Sequence, residues 1–272
     1  MENTDNNSNS NRDNNDTNIP NKIFIVPYRN RLYQKIHFEN YMKYIMEDIP
    51  DNDYKIFFSH QLDPRPFNRG ATKNIGFIAM RNLYPDNYKD INFIFNDVDT
   101  MPYEKNLLDF NTTHNTVKHY YGFKFALGGI FSITGSDFEK CGGFPNFWGY
   151  GYEDDCIQAR ILNKNINIDR NNFYPIFDQH ILQIHSDPRR ILSNQKPQKG
   201  FHPDNTLENI IDLTYNIDGN MININNFNIK NYPFNKEHYY YQNLSEKPIV
   251  VDNLNKNIER NNKINRFKMK LY

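Results

Sequence analysis

The sequence predicts an α/β fold with a largely parallel central sheet flanked by helices. Two observations carry this. Short apolar runs alternate with longer segments whose aromatic and aliphatic residues recur every three or four positions, the pattern of strands followed by amphipathic helices. Arginines and closely spaced acids fall just after the apolar runs. Open α/β sheets bind ligands there, outside the carboxyl ends of their strands.

The elements follow in order. Residues 1–21 are rich in Asn, Asp and Ser and almost free of apolar side chains. They predict a disordered N-terminus, neither a signal peptide nor a membrane span. Residues 23–26 read as a buried strand that ends in the polar turn Pro27-Tyr28-Arg29-Asn30-Arg31. Residues 32–47 have helical periodicity, and 54–58 form a second apolar run. Phe67, Asn68 and Arg69 open another helix, which carries Ile75, Phe77 and Ile78. Residues 91–95 read as a third strand, ending in Asn96-Asp97-Val98-Asp99. Residues 128–134 predict a further strand and 136–140 a short helix. Beyond about Ser193 the pattern weakens. Residues 196–245 are expected as a less regular C-terminal extension packed on the main domain of residues 22–195. Residues 246–272 form a charged tail, helical or loose.

Composition narrows the function. Lys+Arg and Asp+Glu both number 32 in this 272-residue chain, so there is no basic footprint for nucleic acid. Aromatics reach 15% although the mean hydropathy is −0.84, which puts many of them in a core or a cleft. The two cysteines, Cys141 and Cys156, exclude a disulfide scaffold and favour a reducing compartment. No stretch approaches the ~20 apolar residues of a spanning helix. A soluble, cytoplasmic protein is expected. Richness in Asn, Ile, Lys and Tyr fits an AT-rich genome, and a large DNA virus or a protist is one hypothesis for the source.

Residues 143–155 are the most informative stretch. They hold the chain's one tryptophan, Trp148, with Tyr150 and several glycines, and they end in Glu153, Asp154 and Asp155. Acids are favoured at a helix N-terminus, which accounts for the acids alone. Aromatic faces suit sugar rings, and a carboxylate beside them can take a proton from a hydroxyl. Asp97 and Asp99 offer hard oxygen ligands suited to Mg²⁺ or Mn²⁺, particularly where substrate phosphates complete the shell. Acids two apart are common, and a solvated turn is the plain alternative. His185 would bias a mixed site toward Mn²⁺, and Arg29, Arg31 and Arg69 are suited to a diphosphate.

Seven segments together carry a resemblance: 27–31, 67–69, 93–99, Gly128-Gly129, 142–146, 148–155 and 184–186. In order and rough spacing they resemble the β1,4-galactosyltransferase family, glycosyltransferase family 7, across residues 22–195. The resemblance implies the GT-A fold, a Rossmann-like sheet whose enzymes invert the sugar linkage using a UDP-sugar and Mn²⁺. It implies that Arg29, Arg31, Phe67 and Arg69 contact the uridine diphosphate, with Asp97 and Val98 also on the nucleotide. Asp99 and His185 would ligate Mn²⁺, with Mg²⁺ as the alternative. Asp154 would be the catalytic base beside Glu153. Ala126, Gly128, Gly129, Trp148, Tyr150 and Asp155 would line the sugar sites.

Two departures stand out. The family's third metal ligand falls on Leu182, which cannot ligate, or on Gln183, which can do so through its amide oxygen. His180 is a more distant candidate. Weaker or less Mn²⁺-selective binding is expected. Ala126 replaces a tyrosine that restricts many relatives to galactose donors, so room for an N-acetyl group is expected. The reading is a metal-dependent, inverting transferase that moves a hexose or N-acetylhexosamine from a UDP-sugar to a carbohydrate or glycoconjugate acceptor. A UDP-sugar- or glycan-binding protein that has lost turnover is the alternative. A glycoside hydrolase, the third option, needs paired carboxylates but neither the Asp-Val-Asp turn nor the arginines.

Overall fold

A computed structural model describes residues 19–148, 151–184, 190–193, 202–235 and 239–242. The tail at 246–272, most of the N-terminal segment, Tyr150 and His185 lie outside the described residues. The chain runs β1 (Lys22–Tyr28), α1 (Leu32–Ile45), β2 (Tyr54–Gln61), α2 (Arg69–Leu83), β3 (Asn92–Asn96), β4 (Thr100–Pro102), β5 (Thr116–Gly122) and β6 (Ile130–Thr134). It continues through α3 (Gly135–Cys141), α4 (Glu153–Asn163), β7 (Asn167–Asp169), β8 (Tyr174–Pro175), β9 (Ile181–Gln183) and β10 (Arg190–Ser193). After a short 3₁₀ turn at Leu207–Asn209 come β11 (Ile210–Asp218), β12 (Met221–Ile229) and β13 (Tyr239–Gln242).

The main sheet has the order β11-β12-β2-β1-β3-β6-β5-β7, with β8 also paired to β5. The pairs β12–β2, β2–β1, β1–β3, β5–β7 and β5–β8 are parallel; β3–β6, β5–β6 and β11–β12 are antiparallel. The mostly parallel α/β sheet expected from the sequence is therefore present.

β1 explains why the centre reads as an unbroken apolar run. All seven of its residues are buried. Side chains alternate across a strand, so Ile23 and Ile25 join Phe77, Phe93, Phe95, Phe138 and Ile157 on one face. Phe24 and Val26 join Phe38, Met42, Ile94 and Phe110 on the other. Helices α2, α3 and α4 thus cover one face and α1 covers the opposite one. Each such fully buried aliphatic or aromatic side chain contributes on the order of 1.5–3 kcal/mol. Helix α2 begins where Asn68 caps it, its side chain accepting from Ala71 N at 3.0 Å. Such a cap stabilises a helix by about 1 kcal/mol.

One strand of the sheet, β5, has no clear signal in the sequence, and the alternating apolar and Asn-rich positions of 206–245, which suggest short strands, join the main sheet. β5 interrupts its apolar pattern with Lys118 and His119, yet His119, Tyr120 and Tyr121 are all buried. The β11–β12 hairpin lies beyond residue 195 but extends the main sheet, pairing Met221 to Phe58 and Ile224 to Gln61. Ile224, Phe227 and Ile229 pack there on Ala71 and Ile75 of α2. Among the described residues no helix is long and apolar enough to cross a membrane.

Candidate active site

The site forms where β3, the start of α2, the Gly128-Gly129 turn and the start of α4 meet. Asn96, the last residue of β3, is buried, and its Nδ2 donates to the carbonyls of Asp97 and Thr100 at 2.8 Å each. That pins the turn carrying Asp97, Val98 and Asp99. Val98 is buried under the turn, leaving the two acids half-buried.

Arg69, the first residue of α2, binds three carboxylates. Its Nη2 donates to Asp97 Oδ1 at 2.6 Å and Oδ2 at 2.8 Å. Its Nη1 donates to Glu153 Oε1 at 2.6 Å and to Asp154 Oδ1 and Oδ2 at 3.1 and 3.0 Å. Burial opposes the charge on Arg69, but Asp154, Asp97 and Glu153 outweigh it and hold its proton affinity well above the usual value. One helical turn further on, Lys73 Nζ reaches Asp154 Oδ1 at 3.4 Å. Burial and then the neighbouring Arg69 lower the proton affinity of Lys73. Burial alone would raise that of Asp154. Arg69 and Lys73 reverse this, so Asp154 stays below the ordinary carboxylate range.

The Gly128-Gly129 turn closes on the same acid. Leu127 N donates to Asp154 O at 2.9 Å, and a Cβ at Gly128 would lie 2.3 Å from Asp154 Oδ2. Gly129 adopts φ +72°, a region that glycine occupies freely, and its carbonyl accepts from Asp97 N at 3.3 Å. His119 holds this turn from behind. Its Nδ1 accepts from Arg170 Nε at 3.0 Å, so its Nε2 carries the proton and donates to the carbonyls of Gly128 and Tyr121, both at 3.0 Å. Burial, then Arg170, push the His119 pKa down to about 4, which keeps the ring neutral.

Helix α4 opens at Tyr152 with φ +66°, and Glu153, Asp154 and Asp155 fill its first turn. The Gly-Phe-Pro-Asn block upstream acts as an anchor. Asn146 is fully buried; its Oδ1 accepts from Asn74 Nδ2 at 2.8 Å, and its Nδ2 donates to Asn205 Oδ1 at 3.0 Å and Thr206 O at 2.8 Å. Asn68 Nδ2 donates to Asn146 O at 3.1 Å, so the helix that carries Arg69 and the loop that leads to Asp154 share one buried polar network.

Asp99 faces a different balance. Burial and the nearby charge of Asp97 raise its proton affinity. Among the described residues no lysine or arginine forms an ion pair with it, and its Oδ1 accepts from Thr100 Oγ1 at 3.1 Å. Ile184 N donates to Asp99 O at 2.8 Å, so the residue before His185 lies beside the turn. Gln183 Oε1 accepts from Tyr121 Oη at 3.2 Å, Leu182 packs against the core, and His180 pairs with Asp178 at 2.8 Å. No group of three or more His, Cys, Asp or Glu side chains suited to a metal ion occurs among the described residues.

Other expected site residues fall elsewhere. Trp148 requires correction. It is buried, stacks on Phe227 at 5.3 Å, lies under the Arg65 guanidinium, and donates from Nε1 to Tyr232 O at 3.1 Å. It joins α2 to the β11–β12 hairpin and does not offer a free face to a sugar. The other expected residues remain at the margins. Arg29 donates to Arg65 O, Arg31 precedes α1, and Phe67 is half-buried two residues before Arg69. Ala126 is buried in the turn before Gly128, and Asp155 is half-buried. The sequence reading missed Lys73, whose four-residue spacing from Arg69 places both on one helix face. It also missed His119 and Arg170, whose pairing across the sheet edge leaves no local signal.

Comparison with known proteins agrees with this fold. The family model described as the N-terminal region of glycosyl transferase group 7 matches residues 10–110, and that described as the N-terminal domain of galactosyltransferase matches 109–181. The chain is 32% identical over 155 residues to the xylosylprotein 4-beta-galactosyltransferase of Caenorhabditis elegans, covering 54% of this chain and 52% of that protein. It is 32% identical over 163 residues to beta-1,4-galactosyltransferase 1 of Mus musculus, covering 56% and 40%. The chain thus spans about half the length of the curated relatives it matches, or less. The catalytic domain of Drosophila β1,4-galactosyltransferase 7, solved with xylobiose, superposes with a TM-score of 0.60 over 75% of this chain and 92% of that one, at 22% identity. A mutant of that protein, in complex with manganese, UDP-Gal and xylobiose, gives a TM-score of 0.56 at 22% identity with the same coverage. These two likenesses establish the fold. With both halves of the family's sequence pattern matched in order across the sheet and the site, the chain belongs to glycosyltransferase family 7, the β1,4-galactosyltransferase family.

Proposed function

We propose that the chain transfers a hexose or N-acetylhexosamine from a UDP-sugar to a hydroxyl of a carbohydrate or glycoconjugate, inverting an α-linked donor to a β-linked product. The carrying observation is the pairing of Asp154 with Arg69 and Lys73 beside the Asp97–Asp99 turn. These cations keep Asp154 ionised at neutral pH, and its side chain keeps 23% exposure, so a hydroxyl can reach it. Asp154 accepts the acceptor's hydroxyl proton while that oxygen bonds to the anomeric carbon; the bond to UDP breaks, and its electron pair leaves with UDP. Glu153 orients Arg69 behind it.

Asp99 fits a divalent cation. Its carboxylate is partly desolvated and faces the charge of Asp97, and the nearby Arg69 only partly offsets this without forming an ion pair among the described residues. Asp99, with His185 as the residue after Ile184, would hold Mn²⁺ or Mg²⁺, which supplies positive charge against the departing diphosphate. Arg29 and Arg31, before α1, and Arg69, at the start of α2, would contact the same diphosphate. The small side chain of Ala126 is the feature that favours a donor carrying an N-acetyl group. The chain's two cysteines, Cys141 and Cys156, both buried, support a reducing compartment.

A second reading, UDP-sugar binding without turnover, is favoured by Leu182 in the core and Gln183 held by Tyr121. The test is UDP release from a panel of UDP-sugars with Mn²⁺ and sugar acceptors. Release that disappears in Asp154→Asn supports transfer. Saturable nucleotide binding with no release in any combination supports the second reading. Glycan cleavage without nucleotide would replace both.

A further inference from the structure

Lys73 is 1% exposed. A buried ammonium is costly unless it is paired. Lys73 meets Asp154 Oδ1 at 3.4 Å and lies 4.4 Å over the centre of the Phe144 ring. Among the described residues Asp154 is its one carboxylate partner, whereas Arg69 divides its charge among Asp97, Glu153 and Asp154. The two oxygens of Asp154 therefore differ. Among the described residues, Oδ1 receives both Arg69 Nη1 and Lys73 Nζ, whereas Oδ2 receives Arg69 and faces Gly128.

We propose that Lys73 is a positioning residue for the transfer reaction: by engaging Oδ1 it fixes the Asp154 carboxylate in one orientation and leaves Oδ2, on the Gly128 side, as the oxygen that takes the acceptor's proton. This rests on Asp154 being the base of the proposed transfer. The balance is simple. The acceptor O–H bond breaks and its proton goes to Oδ2, the new C–O bond forms, and the bond to UDP breaks with its electrons leaving on UDP. The proton then passes to water. Among the described residues, the charged and titratable groups facing Asp154 are Arg69 and Lys73 from α2, Asp97 from the turn after β3, Glu153 from α4 and the neutral His119 from β5. Lys73 is the cation whose removal leaves Arg69 in place. The depressed proton affinity of Asp154, to which Lys73 contributes after Arg69, agrees with this arrangement.

The test compares wild type with Lys73→Met and Lys73→Arg. In Lys73→Met, kcat is expected to fall about tenfold with the donor KM nearly unchanged. The acid limb of kcat/KM should move up by about one pH unit, because an opposite charge has been taken from a carboxylate. Lys73→Arg should restore the wild-type acid limb. Superimposable acid limbs in wild type and Lys73→Met overturn the proposal. If wild type itself releases no UDP, the transferase reading fails, and the contact is judged without turnover. Urea unfolding of Lys73→Met, Asp154→Asn and the double variant should show the double variant losing less stability than the sum of the singles. Strict additivity overturns the contact. Should Lys73→Met not fold, Lys73→Gln, neutral and hydrogen-bonding, carries the same comparisons.

Discussion

Asp154 leaves no room for a side chain at Gly128: a Cβ there would lie 2.3 Å from Oδ2 and 2.8 Å from the carboxyl carbon. The turn and the acid are also tied through Leu127 N and Asp154 O. Gly128→Ala must therefore move the carboxylate, the turn or both. Overpacking of this kind costs about 1–3 kcal/mol, and a displaced base loses on the order of a hundredfold in rate. UDP-release kinetics alongside urea denaturation should show a folded protein with a large loss of kcat. A wild-type rate in folded Gly128→Ala would mean that Asp154 need not sit where it does.

Replacing Arg69 by methionine leaves Asp97, Glu153 and Asp154 together without the guanidinium that binds all three. Removing one partner from a partly buried charge network typically costs about 3–5 kcal/mol. Asp154, whose proton affinity Arg69 lowers, then binds a proton more readily. The deficit relative to wild type should therefore be largest at neutral pH and shrink as the pH falls toward about 4, near the ordinary carboxylate range. Urea midpoints across pH read this directly. An equal deficit at every pH would argue that Arg69 acts through packing alone.

Asp99 behaves in the opposite sense. Burial and Asp97 raise its folded-state proton affinity above the unfolded value, so folding is favoured with Asp99 protonated and that advantage is lost as pH rises through the folded value. Asp99→Asn should raise Tm at neutral pH in metal-free buffer. Added Mn²⁺ should raise the Tm of wild type and leave the variant unmoved. A metal-free variant less stable than wild type would show that Asp99 supports the fold.

His119 links stability to mild acid. Its folded pKa of about 4 lies below the ordinary histidine value, with burial and Arg170 as causes. The unfolded chain therefore takes up a proton first, and stability falls as the pH drops from about 6.5 toward about 4. Between about pH 7.5 and about pH 5 the loss should reach about 2 kcal/mol. His119→Asn, weaker at neutral pH through lost hydrogen bonds, should have a flatter profile over this window. Parallel profiles would place the acid sensitivity in other groups.

Much of this was readable along the chain because the signals are local. The unbroken apolar run of β1 announces a strand buried on both faces, and Asn68 before Arg69 announces a helix start. Asp97 and Asp99 declare themselves by following β3. What stayed hidden depends on distant pairing. His119 interrupts the hydrophobic pattern of β5, and only its bonds to Arg170 and the Gly128 carbonyl explain why it is buried. Trp148 looked like a sugar platform because it stands among glycines and acids, but the Phe227 ring it covers comes from a hairpin far along the chain. Gly143–Asn146 carried a family signal whose physical basis is the buried amide network through Asn74 and Asn205.

The most direct test of the central claim is mass spectrometry of sugar acceptors incubated with UDP-galactose, UDP-N-acetylhexosamines and Mn²⁺. A product heavier by one hexose or one N-acetylhexosamine residue is predicted, formed by wild type and absent with Asp154→Asn. Acceptors recovered unmodified from wild type across the whole panel, with UDP-sugar bound but intact, would contradict it.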